Sequence, residues 1–431
     1  MTSPPALPSA ATSWLIQDLD PESDELLDWF TAIRLTFKDQ SGPVAADQVA
    51  ARRPGYANSL LSAAKDGGQV VGTIRSFPTA LTVPGVDGSR ASVAGSAITA
   101  VTVLPTHRRR GAMSALVTRH LQAARDQGAA VAVLIASEAE IYGRFGFGPC
   151  TESADWTVDL RTARLRAEAP RSGQGGGTVK IVPRAELRPV APTLYQASRQ
   201  AGDLDRPDPA WWDPRLGITR IEGVTDDSVV TVLATDSGGT PTGYLRYSAK
   251  ADWVDRACHT QVTVHDLRTT TPQAYADLWG YLLELDLVVT VIATERSVDE
   301  PLPLLLTDPR AARQTGRCDF LWSRVLDPVA ALSSRGYERD GDLTLRVIDP
   351  GGPADGSFRL RVADGRATCD RTGRPADVEL PVDVLGSIWL GGGDLRGYAL
   401  AGRATEATAG ALSRLAALLR STVAPWSSTW F

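Results

Sequence analysis

The sequence predicts a mixed α/β (α+β) protein built from three successive regions. Strand-like and helix-like segments alternate along the chain, which is the pattern of mixed domains. A glycine-rich stretch, residues 171–177, separates the first group of segments from the second, and the composition changes again near Cys318. These observations predict domains at residues 1–161, 162–317 and 318–431.

Length, composition and charge exclude several classes of protein. The chain has 431 residues, 43% of them hydrophobic and 22% charged, which is typical of a globular protein of about two to four domains. It contains no run of about 18 apolar residues, so no membrane span is expected. The net charge of −5 argues against a nucleic-acid partner. The opening MTSPPALPSAATS lacks the basic region and apolar core of a signal peptide, and we expect a disordered lead there.

Cysteine and histidine usage predicts neither disulfides nor a metal site. The four cysteines fit no disulfide framework and no zinc pattern, and the four histidines show no metal-ligand spacing. Reduced cysteines are typical of the cytoplasm, so we predict a cytoplasmic protein without a metal cofactor.

Periodicity assigns the elements of the first region in order. Residues 23–34 predict a helix because apolar side chains recur there at helical spacing. The remaining elements are strands at residues 69–77 and 92–104, a helix at 111–127 and a strand at 129–136. The last of these is apolar throughout, as expected for a strand buried on both faces.

The second region repeats the style of the first. It has predicted strands at residues 228–234, 260–264 and 288–293 and a predicted helix at 273–285. It lacks a counterpart of the basic loop described below. We therefore interpret it as a second copy of the same fold that has lost its ligand site.

The third region combines helices and short strands. It opens with a predicted helix at residues 319–336, followed by strands at 343–347, 358–362 and 378–380 and a helix at 411–419. The last eight residues, APWSSTWF, are aromatic and carry no charged side chain. A terminus that apolar is expected to be buried.

The stretch VTVLPTHRRRGAMS, residues 101–114, carries the first chemical signal. Pro105 ends the strand, and Gly111 permits backbone conformations that a residue with a Cβ resists. A helix that begins at Gly111 directs unpaired N–H groups and the positive end of its dipole toward the loop. With three adjacent arginines, these groups suit a pyrophosphate. The alternative is a solvated basic loop that caps an ordinary helix.

A second stretch, ASEAEIYGRFGFGPC, follows the strand predicted at residues 129–136. Tyr142 lies in a helix-like turn, and Gly143, Gly146 and Gly148 loosen the backbone after it. A tyrosine in this position can donate its phenolic proton to a leaving group. The alternative is a packing tyrosine whose hydroxyl lies in water.

Together the two stretches resemble the GNAT acetyltransferase superfamily and, more closely, its Eis (enhanced intracellular survival) family. THRRRG places Arg108 and Gly111 at the anchor positions of an acetyl-CoA loop, and Met113 is a mild departure at the last motif position. ASEAEIYGRFGFGP, LLTDPRAAR, DFLWSRVLDPVAALSSRGY and a C-terminal phenylalanine extend the resemblance over all three regions.

The resemblance implies a fold, an activity and an assembly. It implies two tandem GNAT-like domains, of which only the first binds acetyl-CoA, followed by a sterol-carrier-protein-like domain. It further implies an acetyl-CoA-dependent N-acetyltransferase that acts on amines of aminoglycosides or similar polyamines, often at several positions. The implied assembly is a homohexamer.

The resemblance also implies a set of residues for acetyl-CoA. The strand edge at Val101, Thr102 and Val103 would bond the pantetheine arm, since a strand edge offers N–H and C=O groups to an amide-bearing ligand. The pyrophosphate would be surrounded by Arg108, Arg109, Arg110, Gly111, Ala112, Met113 and Ser114. Ser137 and Glu138 would lie beside the thioester.

The implied catalytic and substrate residues are four. Tyr142 would protonate the departing CoA thiolate, and the main-chain carboxylate of Phe431 would act as base for the incoming ammonium. An α-carboxyl group with an ordinary pKa of about 3.3–3.7 is a weak base, so it acts through a water or mainly orients the amine. Phe37 and Asp39 would face the amine substrate.

Two other functions fit the same residues. The acceptor amine can instead be a lysine side chain of a protein, which the sequence does not separate from a small polyamine. A non-catalytic lipid or small-molecule binding protein would use the third region and the aromatic tail, with a degenerate acetyl-CoA site. Acetyl-CoA binding distinguishes that protein from either enzyme.

Overall fold

The computed structural model describes residues 14–38, 43–173, 176–206, 209–218 and 228–431. The N-terminal lead, Asp39 and two residues of the glycine-rich linker, all mentioned above, lie outside these ranges. Within the described residues, no helix is long and apolar enough to cross a membrane. The same ranges contain no group of three or more His, Cys, Asp or Glu side chains arranged to hold a metal ion.

The first part of the chain forms a sheet covered by helices. Its elements are β1 (Leu15–Leu19), α1 (Leu26–Phe37), α2 (Ala46–Arg52), β2 (Leu60–Asp66), β3 (Gln69–Pro84), β4 (Arg90–Val103), α3 (Ala112–Asp126), β5 (Val131–Ile135), α4 (Ala139–Gly143) and β6 (Gly148–Pro149). Strands β1 to β5 are adjacent in this order, and only β4 and β5 are parallel among the described pairs. β5 is almost wholly buried, which explains its apolar sequence VAVLI.

The middle of the chain forms a second sheet of similar design. Its elements are β7 (Glu152–Asp159), β8 (Thr178–Ile181), α5 (Arg184–Leu187), α6 (Ala191–Ser198), α7 (Pro209–Arg215), β9 (Val229–Thr235), β10 (Pro241–Lys250), β11 (Trp253–Val254), β12 (Ala257–Cys258), β13 (Thr260–Thr269), α8 (Pro272–Leu283), β14 (Val288–Arg296), α9 (Leu302–Leu305) and β15 (Ala312–Asp319). The described strands follow the order β15-β7-β14-β13-β10-β9-β8, and β13 is parallel to β14.

The last part of the chain forms a smaller sheet with helices. Its elements are β16 (Leu321–Val325), α10 (Pro328–Ser333), β17 (Gly341–Ile348), β18 (Gly356–Ala363), β19 (Arg366–Arg371), β20 (Val378–Pro381), α11 (Val382–Ile388), α12 (Leu395–Leu400), β21 (Thr405–Glu406) and α13 (Ala411–Leu419). The described order is β19-β18-β17-β20-β21. The C-terminal tail, defined here as residues 424–431, follows α13 and leaves this sheet.

The first two sheets exchange strands across the predicted domain boundaries. β7, which ends before residue 161, pairs with β14 and β15 in the second sheet. β16, which begins after residue 317, pairs antiparallel with β5 and β6 in the first sheet. The predicted domain ranges stay a proposal, because the second sheet contains a strand from before residue 162 and the first sheet contains one from after residue 317.

The helix predicted over residues 319–336 is wrong in its first half. β16 is there instead, and all five of its residues are buried between β5 and β6. Only the second half is helical, as α10, whose start is capped by the Asp327 side chain. Strand pairing on both edges outweighs the helical spacing of apolar residues in this segment. The other predicted helices and strands lie where the structure has an element of the same type.

Candidate active site

Strands β4 and β5 separate from each other within the first sheet. Their parallel ladder runs from Gly95 opposite Val131 to Ala97 opposite Val133, and β4 then continues to Val103. A bulge lies just beyond the ladder, because two residues of β4, Ala100 and Val101, stand where the β3 side has one. Ala100 has a left-handed φ of 52°. A bulge bends its strand, so β4 turns away from β5 beyond the ladder, and we call the space between the two strands there the gap.

The basic loop and the start of α3 lie at the end of β4. Gly111 is the N-cap of α3 with φ 88°, which a glycine adopts without strain, as the sequence predicted. Arg108, Arg109 and Arg110 are exposed, so their charges and the first N–H groups of the helix face solvent at one place. Ser114 is also exposed, whereas Ala112 is buried and Met113 half-buried. This arrangement suits a multiply charged anion.

Two residues that the sequence did not single out hold this loop. The Trp14 indole N–H donates to the Arg110 carbonyl at 2.6 Å, and the Arg110 guanidinium lies 5.2 Å from the Trp14 ring centre. Asp66 lies 3.3 Å from His107 Nε2 and 3.7 Å from Arg110 Nη2. No local motif marks Trp14 or Asp66, because both are distant from the loop in the sequence. Trp14 directly precedes β1, and Asp66 is the last residue of β2.

The three β4 residues predicted to bind the pantetheine arm differ in the burial and contacts of their side chains. Thr102 is buried, and its hydroxyl lies 2.6 Å from the Thr73 hydroxyl on β3. Its side chain therefore belongs to the core of the sheet. Val101 is half-buried and Val103 buried, so the groups available along this stretch of β4 are mainly those of the backbone.

Tyr142 lies on α4, which follows β5 directly after the exposed residues Ser137 and Glu138. Its side chain is only 5% exposed and packs edge-on against Phe147. Burial raises the pKa of the phenol above its ordinary value of 10.0, and the negative charge of Glu138 acts in the same direction, against a hydrogen bond with Ser137. The phenol is therefore protonated at neutral pH and able to act as an acid.

The two predicted motifs meet in space. Arg144, two residues after Tyr142, places Nη2 3.6 Å from the sulfur of Met113 in the first turn of α3. Arg324 on β16 holds the residues that follow Tyr142, because its Nη1 donates to the Phe145 carbonyl at 2.6 Å. Arg324 in turn forms a buried ion pair with Asp349, which connects the segment after Tyr142, residues 143–148, to the third sheet.

The C-terminus also reaches the divergence of β4 and β5. A terminal main-chain oxygen of Phe431 accepts a hydrogen bond from the Thr99 hydroxyl at 2.9 Å, one residue before the bulge at Ala100. The Phe431 ring packs edge-on against Phe77 on β3, with 5.8 Å between ring centres. Most of the tail is thus buried, as predicted, although Trp430 is 53% exposed, and the terminal oxygen of Phe431 lies where β4 leaves β5.

The residue before the terminus is fixed by the second sheet. The Trp430 indole N–H donates to the Glu295 carboxylate at 2.6 Å, and its ring packs edge-on against Phe320. Burial raises the pKa of the Glu295 carboxyl above its usual range, and the hydrogen bond from Trp430 opposes that shift.

The two residues predicted to face the amine are not brought to the carboxylate by any described contact. Phe37 lies at the end of α1 with its side chain 55% exposed. Asp39 lies outside the described residues.

Comparison with known protein families agrees with this architecture. Residues 20–150 and residues 202–325 each match an acetyltransferase (GNAT) domain, and residues 328–428 match a sterol carrier protein domain. The predicted fold, two tandem GNAT-like domains followed by a sterol-carrier-protein-like domain, is confirmed.

Similar proteins match this chain over nearly its whole length. An uncharacterised N-acetyltransferase of Streptomyces avermitilis is 38% identical over 412 residues, 94% of this chain and 96% of that protein. N-acetyltransferase Eis of Mycobacterium tuberculosis is 36% identical over 409 residues, 94% of this chain and 96% of that protein. The crystal structure of Eis1 from Mycobacterium abscessus superposes with a TM-score of 0.81 at 30% identity, covering 96% of this chain and 100% of that one.

Proposed function

Because the chain belongs to the Eis family of GNAT N-acetyltransferases, we propose that it transfers the acetyl group of acetyl-CoA to amines of an aminoglycoside or a similar polyamine. The observation that carries this proposal is the Phe431 carboxylate, hydrogen-bonded to Thr99 where β4 leaves β5. A carboxylate at the base of a gap lined by backbone groups gives an amine both a binding partner and a proton acceptor.

The gap and the basic loop fit acetyl-CoA in their chemistry. The backbone of Val101 and Val103 lies on the diverging part of β4 and suits the amides of a pantetheine arm, with Thr102 between them as a core residue. The pyrophosphate falls to the exposed loop and the first turn of α3, which comprise Arg108, Arg109, Arg110, Gly111, Ala112, Met113 and Ser114. Ser137 and Glu138, exposed after β5, border the thioester end.

Acetyl-CoA supplies the acetyl group as a thioester, and the chain moves the protons. The Phe431 carboxylate accepts a proton from the substrate ammonium, directly or through a water, which frees the nitrogen lone pair. As the nitrogen bonds to the acetyl carbon and the carbon–sulfur bond breaks, Tyr142 gives its proton to the sulfur. A second proton leaves the nitrogen as the amide forms and restores the phenol.

The acceptor class rests on the family and on charge. A polycationic acceptor calls for carboxylates near the catalytic gap. The Glu295 carboxylate accepts a hydrogen bond from the indole of Trp430, the residue next to Phe431. We assign Phe37 and Asp39 to the acceptor as well, on the resemblance of their segment to the family. A lysine side chain offers the same amine, so protein acetylation is the second candidate.

Release of CoA, followed with a thiol reagent, tests this function. The panel contains acetyl-CoA with aminoglycosides, polyamines and lysine peptides, and acetyl-CoA binding is measured separately by calorimetry. Turnover with aminoglycosides is the expected result, and turnover with lysine peptides alone would move the proposal to protein acetylation. Uptake of a fluorescent lipid without acetyl-CoA binding would identify a carrier protein instead.

A variant extended by two residues beyond Phe431 tests the role of the terminus. The extension removes the carboxylate from its place at Thr99 without changing any side chain. We expect acetyl-CoA binding to persist and turnover to fall at least a hundredfold. Full turnover by the extended chain would contradict the proposed base.

The predicted homohexamer and the cytoplasmic location remain predictions. Sedimentation equilibrium tests the first, with six chain masses as the expected result.

A further inference from the structure

The second sheet repeats the strand divergence that forms the catalytic gap in the first. β13 and β14 are parallel, and their ladder ends with Val264 opposite Ala293, after which β13 continues to Thr269 and β14 to Arg296. The connection from β13 to α8 is short, because Thr270 and Thr271 alone separate them. The corresponding connection in the first domain carries the basic loop. The connection from β13 to α8 therefore has no counterpart of that loop.

The C-terminal tail enters this second gap, where Trp426 lines a cavity of about 490 Å³ together with Arg268 and Arg296. Trp426 is 4% exposed and lies between the two strands, with its ring 4.7 Å from the Arg268 guanidinium on β13 and 5.2 Å from that of Arg296 on β14. Its indole N–H donates to the Glu295 carbonyl at 2.9 Å. Arg296 also spans the gap, since its Nη1 donates to the Leu267 carbonyl at 3.0 Å.

Asp203 connects the tail to both domains. Its carboxylate, which is fully buried, accepts hydrogen bonds from Arg268 at 3.2 Å and from the backbone N–H and hydroxyl of Ser428 at 3.1 Å. Its backbone carbonyl accepts from the Thr82 N–H on β3 of the first domain. Burial alone would raise the pKa of this carboxyl, but the charges of Arg268 and Arg206 outweigh it and hold the pKa below its usual range.

Arg206 fixes the next residue of the tail. Its Nη2 donates to the Thr429 hydroxyl at 2.7 Å and to the Ser428 carbonyl at 3.1 Å, and its guanidinium stacks 3.8 Å from the centre of the Tyr195 ring. The Tyr195 hydroxyl lies 3.1 Å from the same Thr429 hydroxyl. Phe431 follows Thr429 by two positions, so the Cα atoms of these two residues are at most about 7 Å apart.

We propose that the second domain is a clamp for the catalytic terminus, and that its diverging strands hold the tail. Asp203, Arg206 and Trp426 are positioning residues that act through the Phe431 carboxylate. This inference rests on the proposed function only for the role of that carboxylate in turnover. The clamp itself has a readout that is independent of acetyl transfer.

Release of the C-terminal residues by a serine carboxypeptidase measures the clamp directly. Asp203→Asn keeps the shape of the side chain and removes the charge that faces Arg268. Thr429→Val, a near-isosteric change, removes the hydroxyl that Arg206 and Tyr195 share. The matched control is Asp286→Asn, the same chemical change at an exposed position between α8 and β14.

We expect Phe431 to be released at least tenfold faster from Asp203→Asn and Thr429→Val than from the wild type, and the control to match the wild type. Turnover should fall at least tenfold in both variants while the acetyl-CoA dissociation constant is unchanged. Should Asp203→Asn fail to fold by circular dichroism, Thr429→Val alone decides. Wild-type rates of release from the folded variants would overturn the clamp, even if the chain proved inactive on every acceptor.

A double variant separates positioning from general destabilisation. In a chain lacking Phe431, Asp203→Asn should reduce residual turnover no further, because residues that act through one group are not additive. An additional tenfold loss in that background would show that Asp203 acts elsewhere and would overturn its assignment.

Discussion

The Phe431 main-chain carboxylate accepts a hydrogen bond from the Thr99 hydroxyl at 2.9 Å, although 332 residues separate them in the chain. Thr99 stands on β4 between the last residue paired with β5 and the bulge at Ala100. The end of the chain therefore reaches the place where we propose the active site, whose other proposed parts come mainly from the first domain.

Thr99→Val should weaken catalysis without affecting cofactor binding. The change removes one hydrogen bond to a charged group, which is worth about 1.5–3 kcal/mol, and leaves the shape of the side chain nearly the same. If that energy positions the carboxylate in the transition state, kcat falls about tenfold or more. Steady-state kinetics with acetyl-CoA and the best acceptor measure the change.

Thr118→Val is the matched control for Thr99→Val, since Thr118 is exposed on α3. The control should keep wild-type kcat. Equal kcat in Thr99→Val and the control would mean that this hydrogen bond does not position the terminus.

Tyr142→Phe should lower kcat by roughly a hundredfold, the lower range for loss of a general acid. The acid must be protonated to act, and burial raises the pKa of this phenol above 10.0. The alkaline fall of wild-type activity caused by this group should therefore lie above pH 10. Tyr398→Phe is the control, because Tyr398 on α12 also donates a hydrogen bond, to Ser387 at 2.9 Å. A pH–rate profile that Tyr142→Phe leaves unchanged in height and shape would exclude the acid role.

The sequence predicts the parts of this site that depend on neighbouring residues, and it misses the contacts between residues far apart in the chain. The start of α3 at Gly111 and the turn at Tyr142 follow from local signals, and both were predicted correctly. Asp203 was missed because its partners, Arg268 and Ser428, lie 65 and 225 residues away. β16 was predicted as helix for a related reason, since its two strand partners come from distant parts of the chain.

His120 should make the first domain sensitive to mild acid. It is fully buried on α3, where both ring nitrogens contact serine hydroxyls, those of Ser76 and Ser62. Burial lowers its pKa from 6.5 to about 4, although the charge of Asp18 opposes the shift. The unfolded chain takes up a proton near pH 6.5 and the folded chain resists it, so stability is lost as the pH falls from 6.5 toward 4.

The expected loss over that range is roughly 3 kcal/mol from this one group. Urea unfolding at pH 7 and pH 4.5 measures it as a difference between wild type and His120→Gln, which cannot take up the proton. His259→Gln, at an exposed position of the second domain, should keep the wild-type dependence on pH. An identical loss in wild type and His120→Gln would show that other groups cause the acid sensitivity.

Gly146→Ala should reduce both stability and turnover, whereas Gly143→Ala should not. Gly146 has φ 78°, and a left-handed conformation costs a residue with a Cβ about 1–2 kcal/mol. A Cβ there would also collide with Arg324 Nη1, the group that donates to the Phe145 carbonyl. The ion pair between Arg324 and Asp349 leaves that guanidinium little freedom to move away. The substituted chain must therefore either lose this support or shift the segment that carries Tyr142.

Gly143 provides the control within the same segment. A Cβ at Gly143 meets no atom within 4 Å, so alanine there costs nothing in packing. We expect Gly146→Ala to lose about 2 kcal/mol or more in the free energy of unfolding and at least tenfold in kcat. Thermal unfolding and steady-state kinetics on the two variants measure both effects. Loss of stability with full kcat would mean that residues 143–148 stabilise the fold but do not position the Tyr142 side chain.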